Sequence, residues 1–338
     1  DAGLEEERRL MYVAMTRAKH GLYFSSADDY GGVRKKKISR FLSELSEIGL
    51  SLAVQAEKKQ PAIIPDQKKK LLSGDSSPVY LLPTKFSFTQ LRAFENCPYQ
   101  YKFAHLLKIP VRGTRQFSFG RSMHLTLQKF FQEVNRRKSS RQPDLFGGEN
   151  KQQEVSWTEL KEIYQQSFID DWYPDRKNKE QTYQKGEASL KVFYQKYQES
   201  RPVVRYLEYP FNLRIGEGGQ YIIKGMIDRI DDFHGQIRIV DYKTGNPKDK
   251  LSWEDKEQLL IYQLAAQEVM KEEVGELVFY YLDNNSEVSF LGRDKELDKV
   301  KTKIISIIEE IKKGDFPPQP GQLCRYCDFK NICEFRSV

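Results

Sequence analysis

Apolar residues recur at helical spacing in some stretches of the chain and at strand spacing in others. Residues 4–19 place Leu10, Val13 and Ala14 on one side and charges opposite, and residues 38–48 repeat the pattern with Ile38, Phe41, Leu42 and Leu45. Met123, Leu127, Phe131 and Val134 predict a helix over 120–136, and further helices are predicted over 157–171, 180–199 and 254–272. Leu297, Val300, Ile304, Ile308 and Ile311 mark a last helix. Between these the period falls to two. Strands are predicted over 203–215, 219–232 and 235–243, with turns at 216–219 and at His234-Gly235 that make an antiparallel meander. Residues 21–25 read as a short strand, and the apolar run 277–282 as a buried one. Ser87 and Gln90 fit a capping box that opens a helix, and the polar stretch 139–153 reads as a loop.

Composition divides the chain. Residues 51–83 shift to Lys, Gln, Ser and Pro and read as a linker, between a segment over 1–50 and a larger α/β domain over 84–338. The total of 338 residues agrees with about two domains. Charged residues make up 30%, and no apolar run approaches the ~20 residues of a membrane span. With no signal peptide either, a cytoplasmic location is expected. The 55 basic and 48 acidic residues leave a net charge of +7, which permits nucleic-acid binding without requiring it. The chain starts at Asp1, already inside a helical pattern, so a fragment of a longer polypeptide is expected.

Asp241-Tyr242-Lys243 ends the third strand of the meander. Side chains at i and i+2 share a strand face, so a carboxylate and an ammonium stand together and are suited to holding a divalent cation and a water. The pattern alone is common: Asp66-Gln67-Lys68 repeats it in the linker, and a surface ion pair is the plain alternative. One strand earlier, Gly225 is followed by Asp228, whose carboxylate is within reach of Asp241 across the hairpin. Two facing carboxylates repel unless a cation separates them, and hard oxygen donors suit Mg²⁺ or Mn²⁺.

From Ser87 to the C-terminus the chain resembles the RecB-family nucleases, a branch of the PD-(D/E)XK fold. The resemblance rests on Gly120-Arg121-Ser122-Met123-His124, on Gly225 with Asp228, on Asp241-Tyr242-Lys243, and on Gln258-Leu259-Leu260-Ile261-Tyr262. It implies a restriction-endonuclease-like α/β core, a mixed sheet flanked by helices with helical insertions. It further implies metal ligation by His124, Asp228, Asp241 and the backbone carbonyl of Tyr242. Lys243 would assist metal-dependent attack of water on phosphorus, and Gln258 and Tyr262 would position a DNA strand, expected to be single. Glu208, on the preceding strand, reads equally as a further acidic contact or as a solvated strand residue.

The four cysteines are Cys97 and, more than 200 residues later, Cys324, Cys327 and Cys333 in a Cys-x2-Cys-x5-Cys array. Four thiolates close a zinc site or a cubane cluster; four buried free thiols are the alternative, and disulfides are not expected. The placement resembles the iron–sulfur nuclease domains of AddB and its relatives, which implies a [4Fe–4S] cluster pinning the C-terminal tail to the start of the domain. Arg92, Lys102 and Lys108 with Phe94, Tyr99, Tyr101 and Phe103 read equally as a basic, aromatic DNA path or as a solvated helix over core aromatics.

Residues 5–19 closely resemble motif VI of UvrD/PcrA-type superfamily 1 helicases. The resemblance implies that Arg17 reaches the γ-phosphate of ATP in a complete motor. No Gly-x-x-x-x-Gly-Lys-Ser/Thr phosphate loop occurs in these residues, so ATP belongs only to a full-length motor. The expectation is the nuclease end of a helicase–nuclease acting in DNA processing and recombinational repair. Its partners would be DNA, upstream helicase domains and a second helicase–nuclease subunit. Two other classes stay open: a non-catalytic iron–sulfur or zinc DNA-binding module, and a zinc-stabilised protein-docking domain.

Overall fold

The computed structural model describes residues 2–17, 24, 39–47, 82–111, 113–139, 154–248 and 250–337. It forms two compact units, Asp1–Ser76 and Ser77–Val338. In the first, α1 (Ala2–Thr16) and α2 (Arg40–Glu47) are joined by Arg8, which donates to both Glu44 oxygens at 3.1 Å and lies over the Phe41 ring. The strand expected over 21–25, Phe24 aside, and most of the linker expected over 51–83 lie outside the described residues.

The second unit is built on a six-stranded mixed sheet: β1 (Lys85–Ser87), β2 (Val204–Ile215), β3 (Tyr221–Phe233), β4 (Gln236–Lys243), β5 (Val274–Tyr281) and β6 (Ser286–Phe290). The order is β1-β3-β4-β5-β6, with β2 on the other edge of β3. β2, β3 and β4 form the expected meander, β5 joins β4 in parallel, and β6 returns antiparallel. One edge of β3 serves two partners. β1 runs parallel to Ile222, Ile223 and Lys224, whereas β4 pairs from Arg229 onward. Residues 225–228 of that edge therefore face a fork in the sheet.

Helices cover both faces. On one, α3 (Phe88–Asn96), α8 (Trp253–Ala265) and α9 (Asp294–Lys313) pack on Phe211, Leu213, Ile223, Ile227 and Ile239. On the other, α5 (Arg115–Ser139), α6 (Trp157–Ser167) and α7 (Arg176–Ser200) pack on Val240, Tyr242, Val278 and Tyr280. Capping boxes at Ser87/Gln90, Ser156/Glu159 and Ser252/Asp255 start α3, α6 and α8 by satisfying N–H groups that a helix leaves open. Gly186 lets α7 approach α6, since a Cβ there would fall 2.1 Å from the Tyr164 hydroxyl. Lys303 of α9 pairs with Glu95 of α3 and Glu257 of α8, and Arg92 lies 3.6 and 3.7 Å from the same two carboxylates.

Two strands were not expected. β1 has three residues, too few for an alternation to show, and β6 alternates over five but with only Val288 and Phe290 apolar. α6 ends at Ser167 rather than at 171, because Phe168 turns extended and packs on Tyr173 and Tyr183. After α4 (Pro98–Tyr101), the C-terminal tail folds back onto this region. Phe316 stacks on Tyr101, Phe329 meets Phe103, and Phe335 meets Tyr99. Among the described residues no helix is long and apolar enough to cross a membrane.

Candidate metal centre

The β3–β4 ladder ends at the pair Arg229↔Val240. Beyond it the strands part, and a side chain takes over from the backbone: the Tyr242 N–H donates to Asp228 Oδ2 at 3.0 Å. The fork opens the sheet to both helical layers. From one side α5 brings His124, whose Nδ1 lies 3.4 Å from Asp228 Oδ2 and whose Nε2 lies 2.9 Å from the Tyr242 carbonyl oxygen. A proton on Nε2, donated to that carbonyl, leaves the Nδ1 lone pair facing Asp228. From the other side α8 brings Gln258 and Tyr262.

Glu208 of β2 lies between the pairs Leu207↔Arg229 and Tyr209↔Ile227, which puts it opposite Asp228. Its backbone is left-handed, with φ of 48°, a strained conformation for a residue with a Cβ. Both strands change the face they bury here. Tyr209 and Ile227 pack with the α8–α9 layer, whereas Leu207 packs with the α5–α7 layer and Arg229 lies against Phe131 and Tyr242 of that layer. The distortion turns Glu208 toward the site. His124, Glu208 and Asp228 can each offer one ligand atom, all within 4.8 Å of one another.

Asp241 stands beside this cluster rather than in it. It is 2% exposed; its Oδ1 accepts from Gln258 Nε2 at 3.0 Å, and its Oδ2 lies 2.7 Å from Lys243 Nζ. Lys243 also donates to Gln258 Oε1 at 2.9 Å, and Gln258 Nε2 donates to the Tyr262 hydroxyl at 2.7 Å. Burial pushes the Asp241 carboxyl up to about 6 against the pull of Lys243, and burial likewise raises Glu208, with the Asp228 charge adding to it. Burial alone would lower the His124 pKa, but Asp228 and Asp241 outweigh it and the net shift is upward. Three carboxylates thus stand close together with too little positive charge among them. His124 Nδ1, Glu208 and Asp228 form a donor set that fits Mg²⁺ or Mn²⁺, whereas the Tyr242 carbonyl, expected as a ligand, accepts from the far ring nitrogen and orients the imidazole.

The structure brings together every residue expected at this site: His124, Asp228, Asp241, Tyr242, Lys243, Gln258 and Tyr262. The sequence left Glu208 open, because its place opposite Asp228 follows only from the strand register. The tail brings Cys327 and Cys333 toward Cys97. Cys97 sits between α3 and α4 and accepts from the Gln319 N–H at 3.3 Å; Cys324 accepts from the Gly321 N–H at 3.4 Å. Burial raises the Cys327 thiol, and Cys333 and Cys97 are close enough to add to it. Of the residues that read equally as a DNA path or as core aromatics, Tyr101 and Phe103 belong to the core: both are buried under the tail, and Arg92 sits in the Glu95–Glu257 network. Arg17 is exposed just beyond α1.

Residues 1–29 match the UvrD-like helicase C-terminal domain. Gene 69 protein of Mycobacterium phage L5 is 27% identical over 135 residues, covering 38% of this chain and 43% of that protein. The chain thus spans less than half the length of that relative. The crystal structure of SSO0001 aligns with 81% of this chain and 94% of its own at 15% identity, with a TM-score of 0.35. Residues 85–334, which contain the sheet, the fork and all four cysteines, match the PD-(D/E)XK nuclease superfamily, and the chain belongs to that superfamily.

Proposed function

We propose that the second unit hydrolyses DNA phosphodiester bonds, using Mg²⁺ or Mn²⁺ held by His124, Glu208 and Asp228, with Asp241 beside them holding Lys243. The observation that carries this reading is the His124–Glu208–Asp228 cluster standing next to the Asp241–Lys243–Gln258 chain. A divalent cation bound there supplies Lewis acidity at the phosphate and acidifies the attacking water. The protein's own groups do the rest. The Lys243 ammonium, fixed between Asp241 and Gln258, is suited to orient that water and to stabilise charge growing on the phosphate oxygens. Gln258 links Lys243 to Tyr262, which rests edge-on against Phe211, so the half-buried lysine is oriented by side chains that are themselves packed. The test is cleavage of end-labelled single-stranded DNA by anaerobically prepared protein. Cutting should require Mg²⁺ or Mn²⁺ and should fall about a hundredfold or more in Asp241→Ala and Lys243→Ala. Protein that binds DNA but never cuts it would point instead to a non-catalytic module.

We further infer a longer parent protein. Motif VI in residues 5–19 and the helicase match over 1–29 support an upstream UvrD-like motor in which Arg17 meets the ATP γ-phosphate. Such a motor would feed a single strand to the nuclease in cytoplasmic DNA processing and recombinational repair, alone or with a second helicase–nuclease subunit. We also propose that Cys97, Cys324, Cys327 and Cys333 hold a [4Fe–4S] cluster; the docking of the tail beside Cys97 supports it.

A further inference from the structure

We propose that single-stranded DNA approaches the metal centre over two exposed surfaces that meet there: the outer side of α5 at Phe117 and Arg121, and the open face of β2 and β3 at Arg214, Lys224 and Met226. This rests on the nuclease reading of the site and adds how the strand is held. On α5, Phe117, Arg121 and His124 follow one another at i, i+4 and i+7 and so lie along one side of the helix. Phe117 is 60% exposed and Arg121 is exposed as well, about 10 Å and 5 Å along the axis from His124.

The sheet offers the matching half. Strand alternation puts Lys224 and Met226 of β3, and Pro210, Asn212 and Arg214 of β2, on the side opposite the buried Phe211, Leu213, Ile223 and Ile227, the side from which α5 brings His124. The register sets Asn212 against Lys224 and Pro210 against Met226. All five side chains are exposed, Met226 at 48%, whereas Phe211, Leu213 and Ile223 between them are buried on the opposite face. The helices α5–α7 cover this side of the sheet at β4 and β5; the outer half of β2 and β3 remains open among the described residues.

The chemistry of the two surfaces is mixed in a particular way. Arg121, Arg214 and Lys224 offer cations, Phe117 and Met226 offer apolar surface, and none of the positions named is acidic; Glu217 lies beyond them in the β2–β3 turn. Cations alone would suit any polyanion. Exposed apolar side chains at the same sites suit a strand whose bases are unpaired, because a duplex keeps its base faces stacked inside. The acidic residues, by contrast, are gathered at the metal site where the two surfaces meet.

The test is binding, read by fluorescence anisotropy with a labelled oligothymidylate and a duplex of equal length, in EDTA so that neither is cut. Phe117→Ala with Met226→Ala should weaken oligothymidylate binding about tenfold and change duplex binding far less. Arg121→Ala, Arg214→Ala and Lys224→Ala together should flatten the salt dependence of log Kd by about 2. Removing as many charges on α9, as Lys295→Ala, Lys299→Ala and Lys313→Ala, should leave that slope in place. Melting temperatures identify any variant that is misfolded, and Phe117→Leu then replaces Phe117→Ala. Unchanged affinity and slope in both surface sets would overturn the proposal, as would equal losses for single strand and duplex. Because no cleavage is read, a protein that binds as described but never cuts would remove the nuclease reading and leave the path.

Discussion

Tyr242 ties the candidate metal centre together through three different groups. Its N–H donates to Asp228, its carbonyl faces His124, and its hydroxyl accepts from Arg229 Nη1 at 2.7 Å. Arg229 is 3% exposed, pairs with Asp231 at 3.0 Å and lies over the Phe131 and Tyr242 rings. The guanidinium thus fixes the ring, and the ring fixes the peptide that both Asp228 and His124 touch. Tyr242→Phe removes only the hydroxyl and leaves a buried donor unanswered. A loss of about 1–3 kcal/mol in stability is expected, with Mn²⁺ affinity weakened severalfold in calorimetric titration. A stability loss with unchanged Mn²⁺ affinity would confine Arg229 to packing. At this scale the sequence was partly legible. Asp241 and Lys243 share a strand face by spacing alone, and so were readable. Gly225 was readable as a position but not as a cause: a Cβ there would fall 2.4 Å from the Phe211 ring, which packs in turn on Tyr262. Glu208 was not decidable, because its role depends on a register and a left-handed backbone that no local pattern encodes.

Between elements, charged side chains fasten what the apolar faces bring together. Arg137 on α5 reaches Glu133 one turn earlier at 2.7 Å and Glu159 of α6 at 2.5 Å. Arg136 with Arg137 holds the Glu133 carboxyl down at about 2, and Arg137 does the same for Glu159. Both carboxylates are lowered by folding, so their contribution is fully present above the ordinary Glu value of about 4.3 and fades as pH falls toward 2. Glu159 is 38% exposed at its side chain, and water screens the pair. Arg137→Ala should therefore cost no more than about 1 kcal/mol at neutral pH. The difference from the unaltered protein in urea melts should shrink as pH drops below 4; a constant difference would assign the loss to packing. Such fastenings also explain why element ends were hard to read. The apolar pattern showed α5 over 120–136, but the helix continues to Ser139 through Arg136, Arg137 and Lys138, which carry no apolar period.

At the scale of the whole molecule, the chain returns to where the second unit begins. Tyr99 meets Phe335 and donates to Glu334 at 2.8 Å, and Phe103 meets Phe329, across a separation of more than 200 residues. The resemblance carried by the cysteine placement implied such a closure, whereas the sheet order was not legible: nothing local shows that β1 and β4 share one edge of β3. Closing so long a loop costs entropy that grows with the logarithm of its length, and the aromatic contacts between the tail and Tyr99, Tyr101 and Phe103 offset part of it. A cluster that binds only when all four thiolates meet adds its binding energy to folding. Anaerobically prepared protein should therefore be brown and contain iron and sulfide, and Cys333→Ser should lose the colour and melt at a lower temperature. The candidate metal centre is built at the fork between β3 and β4 and takes no residue from the tail, so Cys333→Ser should keep its Mn²⁺ affinity while it remains folded. A colourless protein carrying one zinc would keep the staple and change its metal. A metal-free protein whose melting temperature is unmoved by Cys333→Ser would leave the aromatic contacts as the whole of the closure.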